Sequence, residues 1–279
     1  MIVDAHTHVF PPAIIARRDR LQEVDPTFAE LYSEPKATLA TADDLMASMQ
    51  RGGIDVSVAL GFAWRDAGLV REHNDYLIEA AKGSGGQILA FCTLPLGESI
   101  EEIEAEMRRC TEAGARGFGE LRPENLSFEI ESKSGERLAH LASELGTPLL
   151  FHVTEPVGHR YAGKGGLSVR SFYDYAVAHP ATTLIGAHWG GGLPFYSVMP
   201  EVRALDNVLV DTAATSLLYA ETIYESVARL AGAQRVLFGS DYPLLSQSRS
   251  RRRIEEAGLE AGACDLLLGG NAARLLGLG

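Results

Sequence analysis

IVDAHTH, residues 2–8, carries two readings at once. Its first residues form a short apolar run that predicts a strand, Ile2–His6. Within it, Asp4, His6 and His8 recur at i, i+2 and i+4, a spacing that places three side chains on one face of an extended chain. Two imidazoles on one face can converge on a single ion. Alone, an HxH pair is as readily a core pair or a surface pair, so the rest of the chain has to decide.

Seven more apolar, β-rich runs follow: Val56–Leu60, Ile88–Leu94, Ala115–Glu120, Pro148–His152, Thr182–His188, Val208–Thr212 and Arg235–Asp241. Most are continuous rather than alternating, as in parallel strands covered on both sides. Helical patterns fall between them at Thr41–Arg51, Ser99–Ala113, Gly135–Leu145, Ser168–His179, Pro200–Leu205, Ser216–Ala231 and Arg249–Ala257, with a closing helix at Asn271–Leu276. Thr41 with Asp44, and Ser99 with Glu102, stand in capping-box relation, and Gly114 and Gly146 mark helix ends. Eight βα units predict a single (β/α)8 TIM barrel over residues 1–279. An open doubly wound sheet is the structural alternative; no GxGxxG follows the first strand, which weakens its dinucleotide-binding form. Residues 10–40 form a long insertion after strand 1, expected to cover the barrel mouth.

Composition bounds the partners. Hydrophobic residues are 46% and charged residues 22%, enough for a large packed core, and the net charge is −12. An acidic surface argues against nucleic acid and anionic membranes, which need a basic face, but not against a small anion held by one or two arginines. Cys92, Cys110 and Cys264 have no CxxC spacing, so neither a disulfide framework nor a thiolate zinc site is indicated; buried free thiols in a cytoplasmic protein are expected. No run reaches the length of a membrane span.

The polar residues then fall into register. Glu120 ends strand 4, His152 strand 5, His188 strand 6 and Asp241 strand 8, and the carboxyl ends of barrel strands line one mouth. Imidazole and carboxylate suit zinc and similar divalent ions, and a catalytic site of this kind leaves a position open for water. A metal site at that mouth is therefore predicted. His73, His140 and His179 read as structural or solvated; His159, in the loop after strand 5, is within reach of substrate.

DAHTH, LLFHV, GAHWGG, FGSDYP and the tail GGNAARLLGL together resemble the amidohydrolase superfamily, and within it the amidohydrolase-related branch. That branch includes aminocarboxymuconate-semialdehyde decarboxylase, γ-resorcylate-type decarboxylases and 2-pyrone-4,6-dicarboxylate lactonases. The resemblance covers essentially the whole chain. It implies that His6, His8, His152 and Asp241 bind a divalent metal, with His188 beside it to orient or deprotonate water, or to hold substrate, and with Asp241 also carrying a proton. Where many hydrolytic relatives have a carboxylated lysine on strand 4, this chain has Glu120, which is either a ligand, as in TatD-like nucleases, or a carboxylate that orients a ligand histidine. Zinc is the first expectation and manganese the second, with one ion or two.

Arg122 lies two residues beyond Glu120 and offers a fork for a substrate carboxylate. Phe62, Trp64, Tyr161 and Tyr242 are candidate pocket walls, and Asp211 a candidate partner of a ligand. The reading these residues favour is a metal-dependent hydrolase of a small lactone or amide. The alternative is a nonoxidative decarboxylase of an aromatic or unsaturated acid. A TatD-like nuclease and a noncatalytic metal-binding barrel stand behind both. A homodimer is a possible assembly.

Overall fold

The computed structural model describes residues 1–279. Eight parallel strands follow one another around one sheet in chain order: β1 Val3–His8, β2 Val56–Leu60, β3 Ile88–Cys92, β4 Gly117–Leu121, β5 Leu149–Phe151, β6 Leu184–Gly186, β7 Val208–Asp211 and β8 Val236–Leu237. Helices lie between them. The ring closes where the Ala5 N–H donates to Phe238 O at 2.7 Å, Asp241 N–H to His6 O at 2.9 Å and His8 N–H to Tyr242 O at 2.6 Å. The expected (β/α)8 barrel is therefore the fold.

The lumen is packed rather than open. Val3, Ala5, Val56, Val58, Leu60, Leu89, Phe91, Leu150, Ile185 and Leu237 fill it, and Ala272 and Leu276 of the closing helix Asn271–Leu276 join the same cluster. A larger cluster of 48 buried residues seals the strands against the outer helices. Both predicted capping boxes are formed, at Thr41/Asp44 and Ser99/Glu102, and the helices Ile100–Ala113 and Lys133–Leu145 end on the left-handed residues Gly114 and Gly146. No helix is long and apolar enough to cross a membrane.

β1 departs from the simple alternation. Its partner register runs Asp4 to Ser57 and then Thr7 to Ala59, so β1 holds one extra residue between them. Such a bulge inverts the phase of the side chains. Asp4 consequently does not share a face with His6 and His8. It points outward, where it accepts hydrogen bonds from the Ser240 N–H at 2.9 Å, the Ser240 hydroxyl at 2.6 Å and Gln247 Nε2 at 2.9 Å. His6 and His8 reach the mouth.

β6 and β8 are shorter than their apolar runs. His188 and Trp189 have φ of 55° and 61°, and Asp241 has φ of 65°. His188 and Trp189 follow closely on the end of β6, while Asp241 comes four residues after β8 ends; their left-handed backbone turns His188 and Asp241 into the mouth, at an energetic cost typical of functional positions. The expected helix Ser216–Ala231 is likewise broken, into Thr215–Leu218 and Ile223–Val227, by extended Tyr219.

The longest helix, Ala67–Gly83, is one that sequence periodicity concealed. Its buried stripe is Val70, His73, Asn74, Leu77 and Ile78, with two polar members inside REHND. Both are satisfied within the core. Asn74 donates to Thr93 O and Glu106 and accepts from Thr93 N–H. His73 bonds Val9 O through Nε2 at 2.7 Å and takes the Trp64 indole N–H on Nδ1 at 3.0 Å.

Trp64 is thus not a pocket wall. It is fully buried in a satellite core with Phe10, Ile14, Leu21, Phe28, Phe62 and Val70, beneath the residue 10–40 insertion. That insertion folds into the short helices Pro12–Ala16, Arg18–Val24 and Pro26–Tyr32. Burial lowers His73 to about 4, so its imidazole is neutral and fits two bonds of opposite sense. His73→Leu would strand a buried indole N–H and a buried carbonyl. Each costs about 1–3 kcal/mol, so denaturant unfolding should show a loss of about 2–6 kcal/mol, with the metal centre intact.

Candidate metal centre

The mouth brings together His6, His8, Glu120, His152, His188 and Asp241, in overlapping groups whose ligand atoms lie within 4.8 Å of one another. Each histidine turns one ring nitrogen to the centre, and three have the other tied down. His6 Nδ1 bonds Asp211 Oδ2 at 2.8 Å, His152 Nε2 bonds Gly163 O at 2.9 Å, and His188 Nδ1 lies 3.3 Å from Ala213 O. A ring N–H given to a carboxylate or carbonyl leaves the opposite nitrogen as a lone pair, the usual support for a metal-ligating histidine. His8 Nδ1 is buried without a partner.

Around that focus, His6 Nε2 and His8 Nε2 are 3.2 Å apart. Asp241 Oδ1 lies 3.7 Å from the first and 3.5 Å from the second. Glu120 spans the site: Oε1 is 2.8 Å from His152 Nδ1 and 3.2 Å from His188 Nε2, while Oε2 is 3.8 Å from His8 Nε2.

Burial opposes charge on His6, Glu120, His152, His188 and Asp241, and for all but His152 the neighbours overrule it. Burial would lower His6, but Asp211, Glu120 and Asp241 lift it to about 10. Burial would also lower His188, which Glu120 and Asp241 raise to about 8. Burial would raise the carboxyls, yet the histidines hold Glu120 well below the usual range and Asp241 at about 2. His152 differs: burial lowers it more than Glu120 raises it. The centre is a concentration of negative charge that calls for a cation.

A divalent metal fits this donor set. Two nitrogens each about 2.1 Å from one ion would stand at the His6–His8 separation, and an ion displacing the inward protons would meet lone pairs on rings already tethered through their other nitrogen. Imidazole with carboxylate is the ligand type of zinc and its neighbours.

Above the centre is a cavity of about 320 Å³. Its walls include Leu31, Tyr32, Phe62, Leu217, Leu218 and Leu244, with Arg122, His159 and Tyr161 among the polar lining. The insertion therefore does cover the mouth, as expected. Arg122 is 3% exposed and donates through Nη2 to Gly163 O at 3.1 Å and Gly165 O at 3.4 Å, while its Nε and Nη1 are buried without partners. Tyr242 does not line the cavity. Its backbone closes the barrel against Thr7 and His8, and the left-handed turn at Asp241 leaves its ring packed on the outer core. Tyr32 and Gly163 went unrecognised in the sequence, since neither an insertion without periodicity nor a glycine-rich loop marks which residue faces inward. Cys264 is half-buried rather than buried; Cys92 and Cys110 are buried, and all three thiols are free.

A barrel of eight parallel strands with histidine and carboxylate ligands at the strand ends defines a metal-dependent (β/α)8 enzyme. The amidohydrolase family model matches residues 3–278, and the chain belongs to that family. No curated protein matches its sequence significantly. Among solved structures it is similar to 5-carboxyvanillate decarboxylase from Novosphingobium aromaticivorans, complexed with manganese and 4-hydroxy-3-methoxy-5-nitrobenzoic acid (TM-score 0.80, 15% identity, 100% of this chain and 96% of that one). It is also similar to 2,6-dihydroxybenzoate decarboxylase from Rhizobium (TM-score 0.76, 18% identity, 99% and 98%). A third is dihydroxybenzoic acid decarboxylase from Polaromonas with bound manganese and 2-nitroresorcinol (TM-score 0.75, 17% identity, 99% and 97%).

The charge balance has a measurable consequence. Without a cation, folded His188 and His6 hold protons up to about pH 8 and 10, whereas an unperturbed histidine loses its proton near 6.5. The stability these protons contribute is complete below pH 6.5 and is lost as pH rises through 8 and then 10. The Tm of the metal-free protein should therefore fall across that window, while that of the metal-loaded protein stays nearly level. Parallel curves in scanning calorimetry would refute this account of the centre.

Proposed function

We propose that this protein is a nonoxidative, metal-dependent decarboxylase of an aromatic or unsaturated carboxylic acid about one ring in size. The observation that carries the reading is Arg122: a buried guanidinium with two unpartnered nitrogens on the wall of an apolar cavity beside the metal ligands. A buried cation left unpaired is costly, and a substrate carboxylate is the partner that would offset that cost through a charge-assisted hydrogen bond. The hydrolytic reading shares this site. The decarboxylase reading is favoured because the three similar structures described above are named as decarboxylases of ring acids.

In this reading His6, His8, His152 and Asp241 hold the ion, and Glu120 either joins them or orients His152 and His188. When bound, a divalent ion supplies positive charge against a substrate oxygen that gathers electron density. Arg122 receives the acid. Leu31, Phe62, Leu217 and Leu218 keep water from the carboxylate, so that departure as neutral CO2 is not opposed by lost hydration. The C–CO2 bond breaks with its electron pair left on carbon, and that carbon takes one proton. His188 and Asp241 line the cavity and are the groups placed to hold and deliver it. A guanidinium that grips the acid does not help it leave, so Arg122 serves binding more than turnover.

Zinc is the ion we propose, on the nitrogen-rich donor set; manganese is the alternative, named for two of the similar structures. Elemental analysis should find about one transition-metal ion per chain, and a protein that neither retains nor responds to one would sink this part.

Hydroxybenzoates and unsaturated acids, screened in D2O, should release CO2 and give product with one deuterium at the vacated carbon. His188→Asn and Asp241→Asn should each lower kcat by roughly 10²–10⁴-fold. Arg122→Met should raise KM by about 10–100-fold, with a smaller effect on kcat. Turnover of lactones or amides with incorporation of labelled water, and no CO2 from any acid, would establish the hydrolase instead.

A further inference from the structure

Gly163 is the meeting point of three bonds that connect otherwise separate parts of the mouth. Its carbonyl accepts from His152 Nε2 at 2.9 Å and from Arg122 Nη2 at 3.1 Å. Its own N–H donates to Glu30 Oε1 at 2.9 Å. Glu30 lies on the helix Pro26–Tyr32, part of the insertion over the mouth, beside Leu31 and Tyr32, which line the cavity. A ligand histidine, the buried arginine and the covering helix thus all converge on one backbone residue.

The loop that carries Gly163 is pinned at its ends, where Val153 pairs with Leu167 and Thr154 with Ser168, and Arg122 Nη2 also reaches Gly165 O at 3.4 Å. The Lys164 ammonium is held by Val157 O and His159 O, the Lys164 N–H by Tyr161 O, and the Tyr161 hydroxyl by Glu155, all within the loop itself. Gly163 has φ of +89°, a conformation that L side chains rarely adopt, and a Cβ there would lie 2.9 Å from Leu31 Cδ2. The carbonyl that His152 and Arg122 depend on is therefore set by a turn whose side-chain anchor on the insertion is Glu30.

We propose that Glu30 is a positioning residue for the metal centre: by holding the Gly163 N–H from the covering helix, it fixes the carbonyl that orients His152 and Arg122. The covering helix is thereby joined to the ion and to the acid-binding arginine through two hydrogen bonds in series. The proposal rests on His152 as a metal ligand and does not need the decarboxylase reading.

The test is metal affinity, measured on the full chain by competition between a chelator and Zn²⁺. Glu30→Ala should weaken Zn²⁺ binding about tenfold, the lower end of the range for losing a group that orients a ligand. Glu30→Gln keeps an amide oxygen at the same reach and should stay within about threefold of wild type. In a His152→Ala background, Glu30→Ala should change Zn²⁺ affinity no further, because the route runs through the missing ring. Circular dichroism and the Tm of the metal-free proteins separate this from a general loss of fold.

Titration of benzoate into the Zn²⁺-loaded protein reads the Arg122 branch, and Glu30→Ala should weaken that binding as well. Benzoate that fails to bind wild type would count against Arg122 as the acid receptor; the Zn²⁺ arm would still decide the proposal. Unchanged Zn²⁺ affinity in Glu30→Ala would overturn it. So would an equal loss in Glu30→Gln, which would point to the carboxylate's charge rather than its bond, or an undiminished loss in the His152→Ala background.

Discussion

Asp211, at the end of β7, uses both carboxylate oxygens to tie three strands into one functional rim. Oδ2 takes the His6 ring nitrogen at 2.8 Å, and Oδ1 accepts the backbone N–H of His188 and of Ala213, each at 3.0 Å. The first bond fixes which His6 nitrogen faces the centre. The second holds the left-handed turn that carries His188 inward. Fully buried, this carboxylate acts in the low dielectric where such bonds are strongest. Remove it, and β1, β6 and β7 lose the contact that puts their chemistry in a common place.

The fold was legible because strand identity depends on local apolar runs, and those are written in consecutive residues. Val56–Leu60 matches its expected bounds, and so does the closing helix Asn271–Leu276. The convergence of these side chains was legible for a related reason: the ends of barrel strands are neighbours by topology, so His152 and Asp241 could be placed at one mouth without knowing any side-chain conformation. What could not be read depended on phase and on long-range partners. One extra residue in β1 sends Asp4 outward and cannot be seen in a spacing argument. Helix Ala67–Gly83 buries His73 and Asn74, whose satisfaction comes from Val9, Trp64, Thr93 and Glu106, all outside the helix. Trp64 looked like a pocket wall by position and is a core residue by partner.

Specificity follows the same division. The barrel supplies the ion site from its strands, whereas the cavity above it is built from the insertion after β1 and the segments after β2, β4, β5, β7 and β8. Loops vary without disturbing strands, so the metal chemistry and the choice of substrate are set largely by different parts of the chain. The match to the family over residues 3–278, beside identities of 15–18% to the similar structures, is what that separation would produce.

The bulge in β1 has one more effect. Ala5 faces the packed lumen and His6 faces the mouth, so the passage from hydrocarbon to ligand takes place over a single residue, about 3.3 Å of strand. The centre rests on an apolar floor with an abrupt dielectric boundary beneath it. A divalent ion held there would direct its field chiefly toward the cavity above, the side from which a substrate would arrive.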